Sequence, residues 1–259
     1  MKILAIGDNC IDYYVKDGRK YAGGCSVNFS VYSRQLGAES AYMGAVGNDE
    51  NGRIILKKLK EAEVDVSGVH VMEGATAVTE VDLDGNDRKF LSYREGVLGA
   101  FRLAPGDYER ARRFDLIHTS VYGKVDGSLE VLGKDAVLCY DFGDKLDYCN
   151  REQVLGAVQY AFFSYTREDD FIRDYLKEVC SHGLLCAVAT LGENGSIACD
   201  GVNFYRHGIR KVKTVDTIGA GDSFIAGFMH EKLSGKGIPE SLAAGAAKAE
   251  EIVQHFGAF

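Results

Sequence analysis

Residues 214–228, TVDTIGAGDSFIAGF, hold the side chains best suited to chemistry. Gly219, Ala220 and Gly221 are small enough for backbone N–H groups to converge on an anion, and Ser223, Phe224, Ile225 and Phe228 follow at helical spacing. A phosphate would therefore meet the start of a helix. Asp222 falls in the first turn, where the helix dipole favours its ionised form, so it could take a proton from an alcohol lying beside that phosphate. The same string also suits an ordinary glycine turn into a helix, with Asp222 merely complementing the dipole.

A site of this kind needs strands and loops to hold it. Lys2–Ile6 reads as a buried strand, with Gly7, Asp8 and Asn9 at its carboxyl end, where open α/β sheets place ligands. Asp12 follows, either a solvated loop carboxylate or an acceptor for two hydroxyls of a polyol. Residues 13–21 look like two short strands around a glycine turn. Gly23 and Gly24 then lead through Asn28 into an amphipathic helix over 29–36. Strands are expected at 40–46, 64–71, 76–83 and 88–93, with a hairpin turn at 84–87, and helices at 53–61 and 238–255. Strands near 116–118, 136–142, 161–163 and 184–190 alternate with helical patterns, the rhythm of a parallel sheet with crossover helices. Arg94 ends a strand from which it could reach a substrate or simply face water. In the last helix Ala243, Gly245, Ala246 and Ala247 allow close packing, and could equally leave a slot for a flat base.

The string around Asp222 resembles the signature of the ribokinase family of sugar kinases, also called the PfkB family. Other segments extend the resemblance over most of the chain: GGxxxN at Gly23, Gly24 and Asn28, GxVGxDxxG at 44–52, and TLGxxG at 190–195. The resemblance implies a ribokinase-like three-layer α/β/α sandwich, one domain over residues 1–259. Its central sheet is mostly parallel, and a small β lid comes from about 13–22 and 76–94. It implies ATP-dependent phosphorylation of a sugar hydroxyl, with Asp222 as base and Gly219, Ala220 and Gly221 as anion hole. Asp12, Gly23, Gly24 and Asn28 would hold the sugar, with Arg94 as a further candidate, while Thr190, Gly192, Gly195 and Ala246 would lie against ATP.

Two segments depart from the family pattern. Residues 141–145 match DxNxR only in part, with Gly143 and Lys145 at two of its positions. Where relatives read NxxE and arrange Mg²⁺ through water, Tyr165 replaces the asparagine and only Glu168 is kept. Within the family the chain most resembles the fructosamine kinases, in residues 7–12, 190–197, 218–228 and the closing 255–259. The acceptor implied is the 6-hydroxyl of fructoselysine or a related fructosamine, with Tyr122, Asp144 or Arg94 available for the amino-acid moiety. The alternatives are a kinase for a simple sugar such as fructose or ribose, or a sugar or nucleotide sensor that keeps the fold without turnover.

Bulk properties narrow the field. A chain of 259 residues with 46% hydrophobic content can bury a sizeable core. A net charge of −8 argues against a nucleic-acid partner, which wants a basic footprint. No apolar run reaches the length of a membrane span. Seven cysteines without a CxxC pair look like small buried hydrophobes, which suits the cytoplasm. The six histidines carry no ligand spacing, and no Walker loop, dinucleotide fingerprint, HExxH or protein-kinase set is present. Lids of this family often pair, so a homodimer through the lid is expected.

Overall fold

In the strand Lys2–Ile6, Leu4 and Ile6 face one side and Ile3 and Ala5 the other, and all four are buried. The alternation recurs in Tyr160–Ser164, where Ala161 and Phe163 oppose Tyr160 and Phe162. It recurs again in Cys186–Thr190, where Ala187 and Ala189 oppose Cys186 and Val188. A sheet apolar on both faces must be covered on both, and a parallel sheet with crossover helices meets that need. The computed structural model, which describes residues 1–16, 18–84 and 87–259 (at 83–84 and 87–90 the backbone only), has that architecture.

The central sheet runs in the order Phe204–His207, Ser196–Cys199, Cys186–Thr190, Tyr160–Ser164, Val137–Asp141, Leu116–Ser120, Lys2–Ile6, Glu39–Met43. The last six of these strands pair in parallel, and the first two join antiparallel at one edge. On one face Ile172, Leu176 and Val179 of the helix Asp170–Cys180 enter the core. On the other lie the helices Cys25–Gln35, Ala220–Leu233 and Ile238–Ile252. The last two pack closely because a Cβ on Gly227 would meet the Ala244 carbonyl oxygen at 2.7 Å, and one on Gly245 the Phe224 carbonyl oxygen at 2.8 Å.

A separate four-stranded sheet forms the lid, in the order Arg19–Gly23, Cys10–Tyr14, Val78–Asp84, Asp87–Arg94. It draws on the expected segments with slightly longer strands; the turn expected at 84–87 has Gly85 and Asn86 outside the described residues. Three expectations need correction. The apolar run 40–46 is two strands, Glu39–Met43 in the central sheet and Ala45–Gly47, which pairs instead with His70–Met72. Residues 64–71 give no lid strand: only a bridge at Asp65 and the short His70–Met72 emerge, beside the central sheet. The helix after Gly24 starts at Cys25, not at 29, which puts Asn28 in its first turn.

Candidate active site

The helix Ala220–Leu233 begins behind Gly219, whose φ of 75° is left-handed and whose Cβ, if present, would stand 2.2 Å from the Tyr32 hydroxyl oxygen. Only glycine adopts that turn without strain or collision. Asp216 braces it, accepting from Ile218 N–H at 2.9 Å and from Gly257 N–H at 2.9 Å. The Tyr32 hydroxyl donates to the Ala258 carbonyl, so residues 257–258 are tied to the same corner. Asp216 and these closing residues carried no expected role; two buried polar contacts reaching across the chain leave no local pattern.

Asp222 lies in the first turn, buried, and its Oδ2 accepts from Asn28 Nδ2 at 2.8 Å. Burial, then the negative charge of Asp141, push its carboxyl up to about 8, against the pull of the Asn28 amide. The expectation that the dipole would favour the ionised form fails here, because removal from water outweighs the helix terminus in the unliganded protein. Asp141, at the carboxyl end of its strand, is itself pushed up to about 6 by burial.

Two cavities meet at this turn. The first, of about 590 Å³, lies beneath the lid and is lined by Gly219 and Asp222 together with Asp8, Asn9, Asp12, Gly24, Cys25 and Asn28. Lid residues Thr79, Leu91, Ser92 and Tyr93, and Tyr122 from the main body, close its other side. Asp12 and Asn28 both line this cavity, and Asn28 Oδ1 is buried without a partner among the described residues. Gly24 passes close to Asn9, where a Cβ would meet its Cα at 2.6 Å, and a Cβ on Gly23 would strike the Asp12 carboxylate at 2.7 Å. Gly23 thus makes room for the sugar-side acid rather than touching the cavity itself.

Asp8, expected only as part of the loop that follows the first strand, has a definite partner set. It accepts from the N–H groups of Cys25 at 2.6 Å and Ser26 at 3.2 Å, and so anchors the start of the helix that carries Asn28. Arg94 is a correction: its guanidinium pairs with Glu80 at 3.1 Å, largely exposed and outside the cavity, while its neighbour Tyr93 faces in. Of the two residues that end this strand, Tyr93 lines the cavity and Arg94 does not. Lys145 and Asp144 pair with each other, exposed, and neither lines the cavity.

The second cavity, of about 860 Å³, opens on the other side and is lined by Thr217, Ala220 and Gly221 of the same turn. Thr190, Gly192, Gly195 and Ala246 all line it, as expected. In the last helix Gly245 packs against Phe224 and Ala246 borders this cavity. Arg210 and Lys211 also line this cavity. They were missed, although the basic run 210–213 just ahead of the turn Gly219–Asp222 is visible in the sequence.

Glu168 does not reach either cavity. It is held by Arg206 and by Arg173 at 2.9 Å, which pull its carboxyl below the usual range, and its two oxygens are taken up in that cluster. Tyr165 packs against Phe171 and reaches Asp169 at 3.3 Å. His118 is buried, stacked on Phe29 at a centroid distance of 4.0 Å and pushed down to about 3 by burial, a neutral core residue.

The family profile described as pfkB family carbohydrate kinase matches residues 4–110 and 163–259. The chain belongs to that family. This carbohydrate kinase is 38% identical over 263 residues to fructoselysine 6-kinase of Escherichia coli, covering 100% of both chains. It is 33% identical over 264 residues to a fructosamine kinase of Bacillus subtilis, covering 100% of its own length and 93% of the relative. Among solved structures, the ribokinase of Arabidopsis thaliana complexed with ribose and ATP superposes with a TM-score of 0.88 at 20% identity, over 99% of this kinase and 93% of that chain. The ribokinase fold, a large mostly parallel sheet with a smaller lid sheet, is therefore established.

Proposed function

We propose that this kinase transfers the γ-phosphoryl group of ATP to the 6-hydroxyl of fructoselysine or a related fructosamine. The observation that carries the reading is the turn Gly219–Asp222, which borders both cavities, so that a hydroxyl in one and a phosphoryl group in the other would meet at Asp222. In the sugar cavity, the Asp12 carboxylate and the unpartnered Asn28 Oδ1 suit hydroxyl groups. The choice of a fructosamine rests on the full-length kinship with fructoselysine 6-kinase, and on Tyr93 and Tyr122. Both rings are about half exposed and line the sugar cavity, where they would face the ammonium that links fructose to an amino acid.

ATP fits the second cavity: Arg210 and Lys211 supply positive charge for the polyphosphate, and Ala246 and Ala249 leave width for a flat base. In the reaction Asp222 takes the proton of the acceptor hydroxyl as its oxygen bonds to the γ-phosphorus and the bond to the leaving diphosphate breaks. The N–H groups opening the helix stabilise charge on the transferring group. Mg²⁺ is the expected companion of ATP, but Glu168 does not fit as its holder, since both its oxygens serve arginines. No step is assigned through the metal.

An ADP-release assay against fructoselysine, other fructosamines, fructose and ribose tests the reading. Turnover confined to fructosamines is expected; turnover with plain sugars alone would overturn the acceptor, and sugar binding without turnover would leave a sensor. Asp222→Asn should fold and lose roughly 10²–10⁴-fold in kcat, the usual worth of a positioned base; near-normal turnover would remove Asp222 from its role. A cytoplasmic setting, favoured by seven free cysteines, and pairing of two copies through the lid belong to the same reading.

A further inference from the structure

Cys25 Sγ, an oxygen of Asp141 and an oxygen of Asp222 all lie within 4.8 Å of one another. Three such atoms around a tetrahedral zinc would be spaced by roughly 3.3–3.7 Å, given bonds of about 2.3 Å to sulfur and 2.0 Å to oxygen, so a modest contraction closes the set. The groups are fixed in place. The Cys25 N–H is held by Asp8 at 2.6 Å, one Asp141 oxygen accepts from Gly143 N–H at 2.8 Å, and Asp222 Oδ2 accepts from Asn28 at 2.8 Å. Asp141 keeps an oxygen for a further partner, while the Asp222 carboxylate already bonds the Cys25 thiol, the contact that a metal would replace. Beside them Asn28 Oδ1, in a side chain 4% exposed and lining the same cavity, has no partner among the described residues. Two neighbouring carboxylates repel, and a divalent cation between them removes that repulsion.

We propose that Cys25, Asp141 and Asp222 form a binding site for a thiophilic divalent cation such as Zn²⁺, which occupies the base and blocks catalysis. A thiolate among the ligands selects zinc over the hard Mg²⁺, which favours oxygen. On binding, Cys25 and the protonated Asp222 release their protons to solvent, and lone pairs of the sulfur and of the carboxylate oxygens go to the metal. An ion held by Asp222 leaves no oxygen for the acceptor hydroxyl, so sugar and ion exclude each other. The other described cluster, Glu152, Glu178 and His182, is a poorer candidate because Arg151 already pairs with both glutamates. The inhibitory half of the proposal rests on Asp222 being the base; the binding half does not.

Cobalt titration of the intact kinase reads the binding half without any turnover. Co²⁺ should produce a thiolate charge-transfer band in the near ultraviolet that persists in Cys10→Ser, whose thiol lines the same cavity, and disappears in Cys25→Ser. No band in the wild type, or a band that survives Cys25→Ser, would overturn the site. With the sugar that the kinase turns over and Mg²⁺-ATP in excess, Zn²⁺ should inhibit competitively with sugar and be reversed by a chelator. The half-inhibiting concentration should rise about tenfold or more in Cys25→Ser, since even outer-sphere partners are worth that much, and stay unchanged in His182→Ala. Equal zinc sensitivity of wild type and Cys25→Ser would overturn the inhibitory role.

Discussion

Asp222 is held in a state that is inconvenient for a base. Its carboxyl titrates at about 8 because it is buried beside Asp141, so it is partly protonated at neutral pH. The kcat/KM for sugar should therefore climb with pH through about 8 and level off above it, and Asp141→Asn should shift that limb to lower pH. The same shift bears on stability. A carboxyl raised in the folded state contributes stability that is fully present below its unfolded value, near 4, and lost as pH rises through about 8. Asp222→Asn should consequently melt higher than the wild type at alkaline pH, with the gap closing towards acid, as melting curves across pH would measure. Tyr93→Ala or Tyr122→Ala should raise KM for fructoselysine by roughly two- to thirtyfold with KM for ATP unchanged, the range expected of a cation–π contact. Glu168→Gln should cost stability by freeing Arg173 and Arg206, yet leave the Mg²⁺ dependence of the rate as it was.

Elements explain why those side chains meet at all. The bond from Asn28 to Asp222 joins two helix starts that are 194 positions apart, and both depend on a glycine with positive φ, 108° at Gly24 and 75° at Gly219. The two glycine turns were legible as strings of small residues before a helix; which of their neighbours would face the cavity was not. The misread segments share a cause. The run 40–46 is mostly apolar, and only Gly44, which a Cβ would drive into the Tyr42 hydroxyl at 2.1 Å, separates two strands that belong to different sheets. Residues 64–71 alternate like a strand but spend their backbone groups on the ends of other strands, as Asp65 N–H does on Ser40. Close packing of the last two helices gives a clean test. Gly245→Leu should destabilise the kinase by about 1–3 kcal/mol through overpacking against Phe224, seen as a lower melting temperature.

At the scale of the molecule, the central sheet delivers its ligating loops to one edge. Asp141 and Thr190 end their strands, Asp8 and Gly192 follow shortly after theirs, and the lid closes over the first cavity at that edge. This much was readable from the strand–helix rhythm and the family strings. The outward turn of Arg94 depended on packing that no local pattern records, whereas the basic residues at 210–211 stood in plain view ahead of the glycine turn. No helix among the described residues is long and apolar enough to cross a membrane. The lid leaves Val15, Leu91 and Tyr93 exposed. Light scattering should accordingly find a dimer, and Leu91→Asp should shift it towards monomer.

The turn Gly219–Asp222 is stitched to residues 257 and 258, one of them bonded to a tyrosine 226 positions earlier. A growing polypeptide that has already made every reactive side chain thus still lacks two of the fasteners that keep that turn in shape. Working geometry is thus an attribute of the assembled chain rather than of the segment that carries Asp222, and whatever loosens residues 257 and 258 would slacken that turn from a distance.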